Sequence, residues 1–501
     1  MVRGRRARHA CRVPERLTPL DASFLHTETA TAHMHVAWKG RFRPGPGRPP
    51  ITLARVIAQV ASRLGGAPRF RMRLAYPAGG FAGPVWVDAE GFDLRRHVVP
   101  LGGDDEVLAR SEFDARADAA LSRPLDRSHP LWEIHLAPRL EDGNVGLVMK
   151  IHHAMVDGKS ALAVALLLLD LDPDAPEPAP PSGVGIGSRP PEARGPTRLA
   201  VEALVGSGAE PLRALGRAAR AAGSPPRLGG TLRRAALSVG EDVARSAPSS
   251  FLNPAIGPRR TLVGHTVDVE RLLDVKRAWG GSLNDVALAV VAGALRQLAL
   301  LRRVAPAPVK VMVPVSRRGE DEMADMGNRI AFVFITLPVH LRDPLARLRA
   351  ICDETAAFKE SERASGGEAL MSGLGLLPRP LQAPVARYAA SPRMYNLVVS
   401  NVPGPRMPVY LLGAECVEVL PAIPLSEGHA LSVGVFTLRD RVCFGVYADP
   451  EALPQVGELP AALSVATLEL SAIAAQPSQP QRKPRAAAGA TRTARPIAVP
   501  S

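Results

Sequence analysis

Lys150-Ile151-His152-His153-Ala154-Met155-Val156-Asp157-Gly158-Lys159-Ser160 joins one apolar run to another through two histidines and an Asp-Gly pair. Upstream, Val145, Leu147, Met149 and Ile151 alternate with other residues, which predicts a strand over 145–151. Downstream, Ser160 to Leu171 reads as a helix. If the strand alternation continues, His152 and His153 point to opposite faces, so only one of them can face a given cleft. An imidazole suits general-base work because its unperturbed pKa, about 6.5, lies near working pH. Asp157 can pair with a cation or orient an imidazole, and Gly158 permits a sharp turn. A plainer reading stays open, in which the histidines close a strand and Asp157 caps the next helix. A metal pair is a third reading, but the histidines end a strand and no third ligand is evident.

Outward from this stretch, the chain divides into two blocks that each mix helices and strands. Met34–Trp38 reads as a strand of the first block. In the second, Leu283–Leu301 reads as a long apolar helix, and Val309–Val315, Ile330–Val339, Met394–Val399 and Leu431–Phe436 read as strands. The fold class expected is therefore α/β or α+β in each half. Between Asp172 and Pro196 stand eight prolines, the mark of a stiff exposed linker. The expected division is a basic unstructured N-terminus over 1–16, a first lobe over 17–171, and a Pro-rich linker over 172–197. A basic helical crossover over 198–250, a second lobe over 251–475 and a basic unstructured tail over 476–501 follow.

Net charge is +14 in 501 residues, and it is confined to three places. Residues 1–16 contribute +5, residues 198–245 contribute +4 and residues 476–501 contribute +5, leaving the rest neutral. No helix-turn-helix or zinc-finger spacing accompanies this charge, and aromatics are only 4% of the chain, so nucleic acid is not an expected partner. Four cysteines without CxxC spacing fit a reducing cytosol and offer no zinc site. The longest unbroken apolar run, Ala161 to Leu169, is nine residues, about half of what a bilayer-spanning helix needs. In the crossover, Leu212, Leu215 and Ala219 fall on one helical stripe and Arg213, Arg217 and Arg220 on another, a pattern that suits a helix lying on anionic lipid. The same pattern also suits a helix packed on the lobes with a solvated arginine face.

His152-His153-Ala-Met-Val-Asp157-Gly158 matches HHxxxDG, a motif shared by coenzyme-A-dependent acyltransferases of the chloramphenicol-acetyltransferase-like fold and by peptide-synthetase condensation domains. Its companions are Leu17-Thr-Pro-Leu-Asp-Ala-Ser-Phe-Leu25, Met34-His-Val36, and Pro124-Leu-Asp-Arg-Ser-His-Pro130-Leu131-Trp132-Glu133. Asn253-Pro-Ala-Ile-Gly-Pro258, Asn284-Asp285, Val313-Pro-Val-Ser-Arg-Arg318, Gly327-Asn328 and Ser400-Asn-Val-Pro-Gly-Pro405 follow in order. Over about residues 17–455 this ordered set resembles the bacterial wax ester synthase/diacylglycerol acyltransferase family. Lys159 departs from it, standing where the family commonly has a small or apolar residue.

The resemblance implies two chloramphenicol-acetyltransferase-like lobes with an active-site tunnel between them. His153 would be the general base, with His152 and Asp157 completing the catalytic motif. The base would take the proton from a hydroxyl acceptor as that acceptor attacks an acyl-CoA thioester directly. No GxSxG nucleophile elbow is present, in keeping with direct transfer. Asp157 would act structurally, through a cation such as Arg318. Gly158, Asn284 and Asp285 would line the tunnel, and Pro130, Leu131 and Trp132 would shape the acyl or alcohol pocket. Partners would be long-chain acyl-CoA (a substrate, with no cofactor or metal required) and diacylglycerol or a fatty alcohol. Cytoplasmic localisation with peripheral contact to a membrane or lipid droplet is expected. Rivals are an HHxxxDG transferase using a carrier-protein thioester and a catalytically inactive lipid-droplet surface protein.

Overall fold

The computed structural model describes residues 15–77, 83–155, 168–176, 246–316, 330–360 and 379–475. In chain order the first half runs β1 (Glu15–Arg16), α1 (Pro19–Thr27), β2 (His35–Arg43), α2 (Leu53–Arg63), β3 (Met72–Ala75) and β4 (Val85–Asp88). β5 (Val98–Pro100), α3 (Arg110–Ser122), β6 (Trp132–Ala137) and β7 (Val145–His152) complete it. The second half runs β8 (Thr261–Asp268), α4 (Val269–Trp279), α5 (Leu283–Leu301), β9 (Val309–Ser316), β10 (Ile330–Leu337), α6 (Pro344–Glu360) and α7 (Arg379–Ala389). It ends with β11 (Leu397–Val402), β12 (Tyr410–Leu411), β13 (Ala414–Ala422), β14 (Leu431–Leu438), β15 (Arg441–Ala448) and α8 (Leu459–Ala474). Residues 177–245, most of the expected linker and crossover, lie outside the described residues, as do 156–167, which hold most of the helix expected over 160–171.

Two six-stranded sheets result, β12-β13-β2-β7-β6-β5 and β10-β9-β11-β14-β15-β8, one at the heart of each lobe. A small third sheet, β1-β4-β3, draws in Glu15 and Arg16, inside the stretch expected to be unstructured. Strand β7 lies between β2 and β6, and all eight of its residues are buried. Its odd-numbered positions, from Val145 to Ile151, enter the first lobe's own core with Phe70 and Trp132. Val148, on the other face, enters the larger core with Phe113, Ala117 and Leu121 of α3 and with the second lobe. The alternation therefore separates two interiors rather than core from water, and Lys150 becomes a buried ammonium.

The sequence reading gives residues 251–475 to the second lobe as one block. Pairing hands part of it back, because β12 and β13 leave that lobe and β13 pairs antiparallel with β2. Where β13 crosses, Gly264, Gly445 and Gly434 lie side by side on β8, β15 and β14 and form a trough beneath Leu420 and Pro421. A Cβ on Gly434 would stand 2.8 Å from Pro421 Cγ, one on Gly264 2.5 Å from Leu420 Cδ2, and one on Gly445 would collide with the Pro421 carbonyl oxygen. Glycine is used here because two backbones approach closely. Gly445→Ala is expected to pry the crossing strand from its trough, at a cost of roughly 1–3 kcal/mol, read as a fall in melting temperature.

Polar contacts close the junction between lobes. Lys39 Nζ donates to Asp114 at 2.6 Å and to the Leu262 carbonyl at 2.8 Å. Asp118 accepts from the Leu262 N–H at 2.9 Å and from the Thr261 hydroxyl at 2.5 Å. Thr29 and Thr31 both donate to Glu427, and the buried Arg260 donates to the Thr31 carbonyl. In the second lobe, α5 runs over the expected bounds. A capping box starts it, and an almost fully apolar surface buries it against α6 and α8. By length and composition alone, 283–301 and 454–474 could each cross a bilayer; the first is 72% buried and uses its apolarity to fill the core.

Candidate active site

His152 ends β7 opposite His35 of β2. Its N–H donates to the Leu131 carbonyl at 2.9 Å, and its Nδ1 accepts the Ala154 N–H at 3.0 Å. The ring proton therefore sits on Nε2, which stands 3.4 Å from Glu28 Oε2. His153 opens a single 3-10 turn, 153–155, and its N–H donates to the Met34 carbonyl at 2.8 Å. The strand ends between the two histidines, so alternation no longer dictates their directions. His152 is fully buried on the side of Lys150, whereas the His153 ring lies flat on Phe24, with centroids 3.7 Å apart and planes 12° from parallel.

Helix α1 and its C-cap residue, Glu28, supply the partners of both histidines. Thr18 caps it, accepting from the Asp21 N–H at 3.1 Å, and Pro19 opens it with a fixed φ. That start places Phe24 and Glu28 one turn apart on the same side. Burial works to raise the Glu28 carboxyl, but the contacts with His152 and the Arg127 guanidinium outweigh it and hold the group at about 2. Arg127 Nε donates to Glu28 at 2.9 Å. Burial lowers His153 to about 4, with the nearby His152 adding to the effect. Nδ1 of His153 makes no hydrogen bond of normal geometry, and a contact with its own backbone carbonyl only partly opposes burial. His153 is thus a neutral imidazole across the physiological range, able to accept a proton.

Asp157, Gly158 and Arg318, expected in the site, lie outside the described residues, as does Lys159. Pro130, Leu131 and Trp132 are buried. Trp132 stacks on His97 at 4.6 Å, and its Nε1 donates to the Phe70 carbonyl at 2.9 Å, which is a packing arrangement in the first lobe's core. Leu131 touches the site through the carbonyl that holds His152. Asn284 accepts from Asn401 Nδ2 at 3.1 Å, tying the start of α5 to the end of β11. Asp285 accepts from the Ser282 N–H at 2.7 Å and hydroxyl at 2.8 Å, so its contacts are those of a helix cap. Phe24 and Glu28 went unnamed as site residues by sequence reasoning. Thr18-Pro-Leu-Asp21 is a capping-box pattern, and counting turns from it would have put both on one helix side.

Residues 17–287 match the wax ester synthase/diacylglycerol acyltransferase catalytic domain, and residues 326–470 match the family's C-terminal domain. A probable diacylglycerol O-acyltransferase of Mycobacterium tuberculosis is 30% identical over 461 residues, covering 91% of this chain and 98% of the relative. A second such protein from the same organism is 29% identical over 466 residues, covering 91% and 96%. Among solved structures, the wax ester synthase/diacylglycerol acyltransferase of Marinobacter aquaeolei VT8 superposes with a TM-score of 0.64 at 24% identity, covering 92% of this chain and 99% of that one. The first condensation domain of the calcium-dependent antibiotic synthetase superposes at 0.56 and 16% identity, covering 94% and 98%. These two structures share the two-lobed fold. With matches across both lobes and a neutral histidine at the end of the central strand, the chain belongs to the wax ester synthase/diacylglycerol acyltransferase family and is an acyltransferase.

Proposed function

We propose that the enzyme moves a long-chain acyl group from coenzyme A to the free hydroxyl of diacylglycerol, with His153 as general base. The observation that supports this most is the neutral, apolar-stacked His153 ring beside the junction of the two lobes. The acceptor hydroxyl gives its proton to the imidazole as its oxygen attacks the thioester carbonyl. The carbon–sulfur bond then breaks, and the thiolate leaving group takes the proton back. Long-chain fatty alcohol is the second acceptor on this reading. Diacylglycerol stands first because the relatives that align over 91% of the chain carry that activity in their names. Offering palmitoyl-CoA with diolein and hexadecanol in parallel tests it. Triacylglycerol as the main product is expected, and no ester from either acceptor would overturn the proposal.

The site reaches these lipids, on this proposal, from a cavity between the lobes and at an anionic lipid surface. Basic residues concentrate in 1–16, 198–245 and 476–501. On α8, next to the last of these segments, Ala461, Val465, Leu468 and Ala472 form an outward apolar stripe, with Val465 44% and Leu468 52% exposed. Binding to anionic liposomes is therefore expected, weakening as salt rises. Replacing Arg213, Arg217 and Arg220 with Gln should reduce that binding and slow turnover of vesicle-borne diacylglycerol while sparing a short soluble alcohol. Equal loss of both activities would mean that those arginines serve the fold.

A further inference from the structure

We propose that Phe24 and Glu28 are positioning residues for acyl transfer: Phe24 holds the plane of the His153 ring, and Glu28 holds, through His152, the turn that carries it. This rests on the reading of His153 as the base.

A general base must present its nitrogen in one direction, and an imidazole usually gains that direction from a hydrogen bond to its other nitrogen. Among the described residues no other residue hydrogen-bonds Nδ1 of His153, and the contact with its own carbonyl lacks normal geometry. What restrains the ring is the parallel phenyl of Phe24, 3.7 Å away by centroid. Rotation about the imidazole's last torsion would drive the ring edge into that phenyl, so the stack restrains the plane of the ring.

Glu28 acts one residue earlier in β7. The Ala154 N–H, inside the turn that carries His153, is held by His152 Nδ1, and the opposite edge of His152 faces the Glu28 carboxylate. Glu28 is itself fixed by Arg127 and by its own N–H, which donates to the Phe24 carbonyl at 3.1 Å. Helix α1 is held in turn from the second lobe, where Arg387 Nε of α7 donates to the His26 carbonyl at 3.0 Å. One helix thus sets the base from both sides and ties it to the opposite lobe.

The stack also keeps water from one face of the ring. Among the described residues, His152 is the titratable side chain that acts on His153, and α1 presents an uncharged phenyl. Removing the phenyl should hydrate the ring and move its pKa up from about 4 toward the ordinary value.

The test measures kcat, KM and the acid limb of kcat for wild type, Phe24→Leu, Phe24→Tyr, Glu28→Gln and His153→Ala, with palmitoyl-CoA and diolein. For Phe24→Leu, kcat should fall about 10- to 100-fold with KM for palmitoyl-CoA unchanged, and its acid limb should move to higher pH. Phe24→Tyr, which keeps the stack, should restore both. Glu28→Gln should lower kcat without moving the limb, because the phenyl still covers the ring. If Phe24→Leu does not fold, Phe24→Met carries the same expectation. Wild-type kcat and an unmoved limb in the phenyl-less variant, with His153→Ala inactive, would overturn the positioning role alone. Full activity in His153→Ala would overturn the base, and the positioning role with it.

Discussion

His153→Ala is expected to lose 10²- to 10⁴-fold in kcat, about the contribution of a well-placed general base, while remaining folded. The fold should tolerate it because the backbone N–H of residue 153 to the Met34 carbonyl survives the substitution. His152→Ala should behave in the opposite sense. That ring is 1% exposed and holds the Ala154 N–H, so stability should fall more and turnover less. The wild-type pH profile follows from the same geometry. Only the neutral imidazole accepts a proton, so activity should persist below pH 6 and fall as the pH approaches about 4. Wild-type activity of monodisperse His153→Ala would remove the base from the mechanism.

Glu133→Ala is expected to destabilise the first lobe by roughly 3–5 kcal/mol, because it leaves the Lys150 ammonium without its counter-ion inside the protein. Lys150 is fully buried on β7, donating to the Ala120 and Arg123 carbonyls at 3.0 Å each and to Glu133 at 2.9 Å. Burial lowers its pKa, and Glu133 opposes that. The lower part of the range is expected, since the Glu133 side chain is 25% exposed and Lys150 can shed its proton once unpaired. Glu133→Leu with Lys150→Met should recover most of the loss, because replacing both charges removes the desolvation penalty together with the attraction. Urea midpoints of the single and double variants decide this, and equal destabilisation of both would show that the pair contributes by shape alone.

Acid should weaken the whole molecule before it stops the chemistry. Burial lowers His33, His35, His97, His135, His153 and His429. Each takes up its proton more readily unfolded than folded. Their neutral forms cost nothing above about pH 6.5, and stability is lost as pH falls below that, each ring contributing until its own lowered pKa is passed. Urea midpoints at pH 7.5 and pH 5 should differ accordingly. A higher midpoint at pH 5 would contradict the burial of these rings.

What could be read from the chain alone follows from how local each feature is. Helix α5 was readable to the residue because a Ser282–Asp285 box and a long, mostly apolar run specify it within its own sequence. Strand β7 was readable as a strand, but Lys150 was not readable as buried, since alternation cannot tell water from a second interior. β13 was out of reach for a similar reason. Its partner β2 lies more than 370 residues away, and nothing in Ala414–Ala422 marks which sheet it will join. The histidine pair announced itself by motif. Its restraints, Phe24 and Glu28, come from a helix over 120 residues upstream and become neighbours only through tertiary packing. Asp285 shows the converse, a motif residue whose contacts prove to be those of a cap.

Direct transfer requires that no acyl group ever resides on the protein. Radiolabelled palmitoyl-CoA is mixed with excess enzyme, first without acceptor and then with diolein, and the label is followed in protein, lipid and free acid. Direct transfer predicts no labelled protein in either mixture, and labelled triacylglycerol matched one-for-one by free coenzyme A once diolein is added. Label captured on the protein before the acceptor arrives, and passed on afterwards, would contradict it.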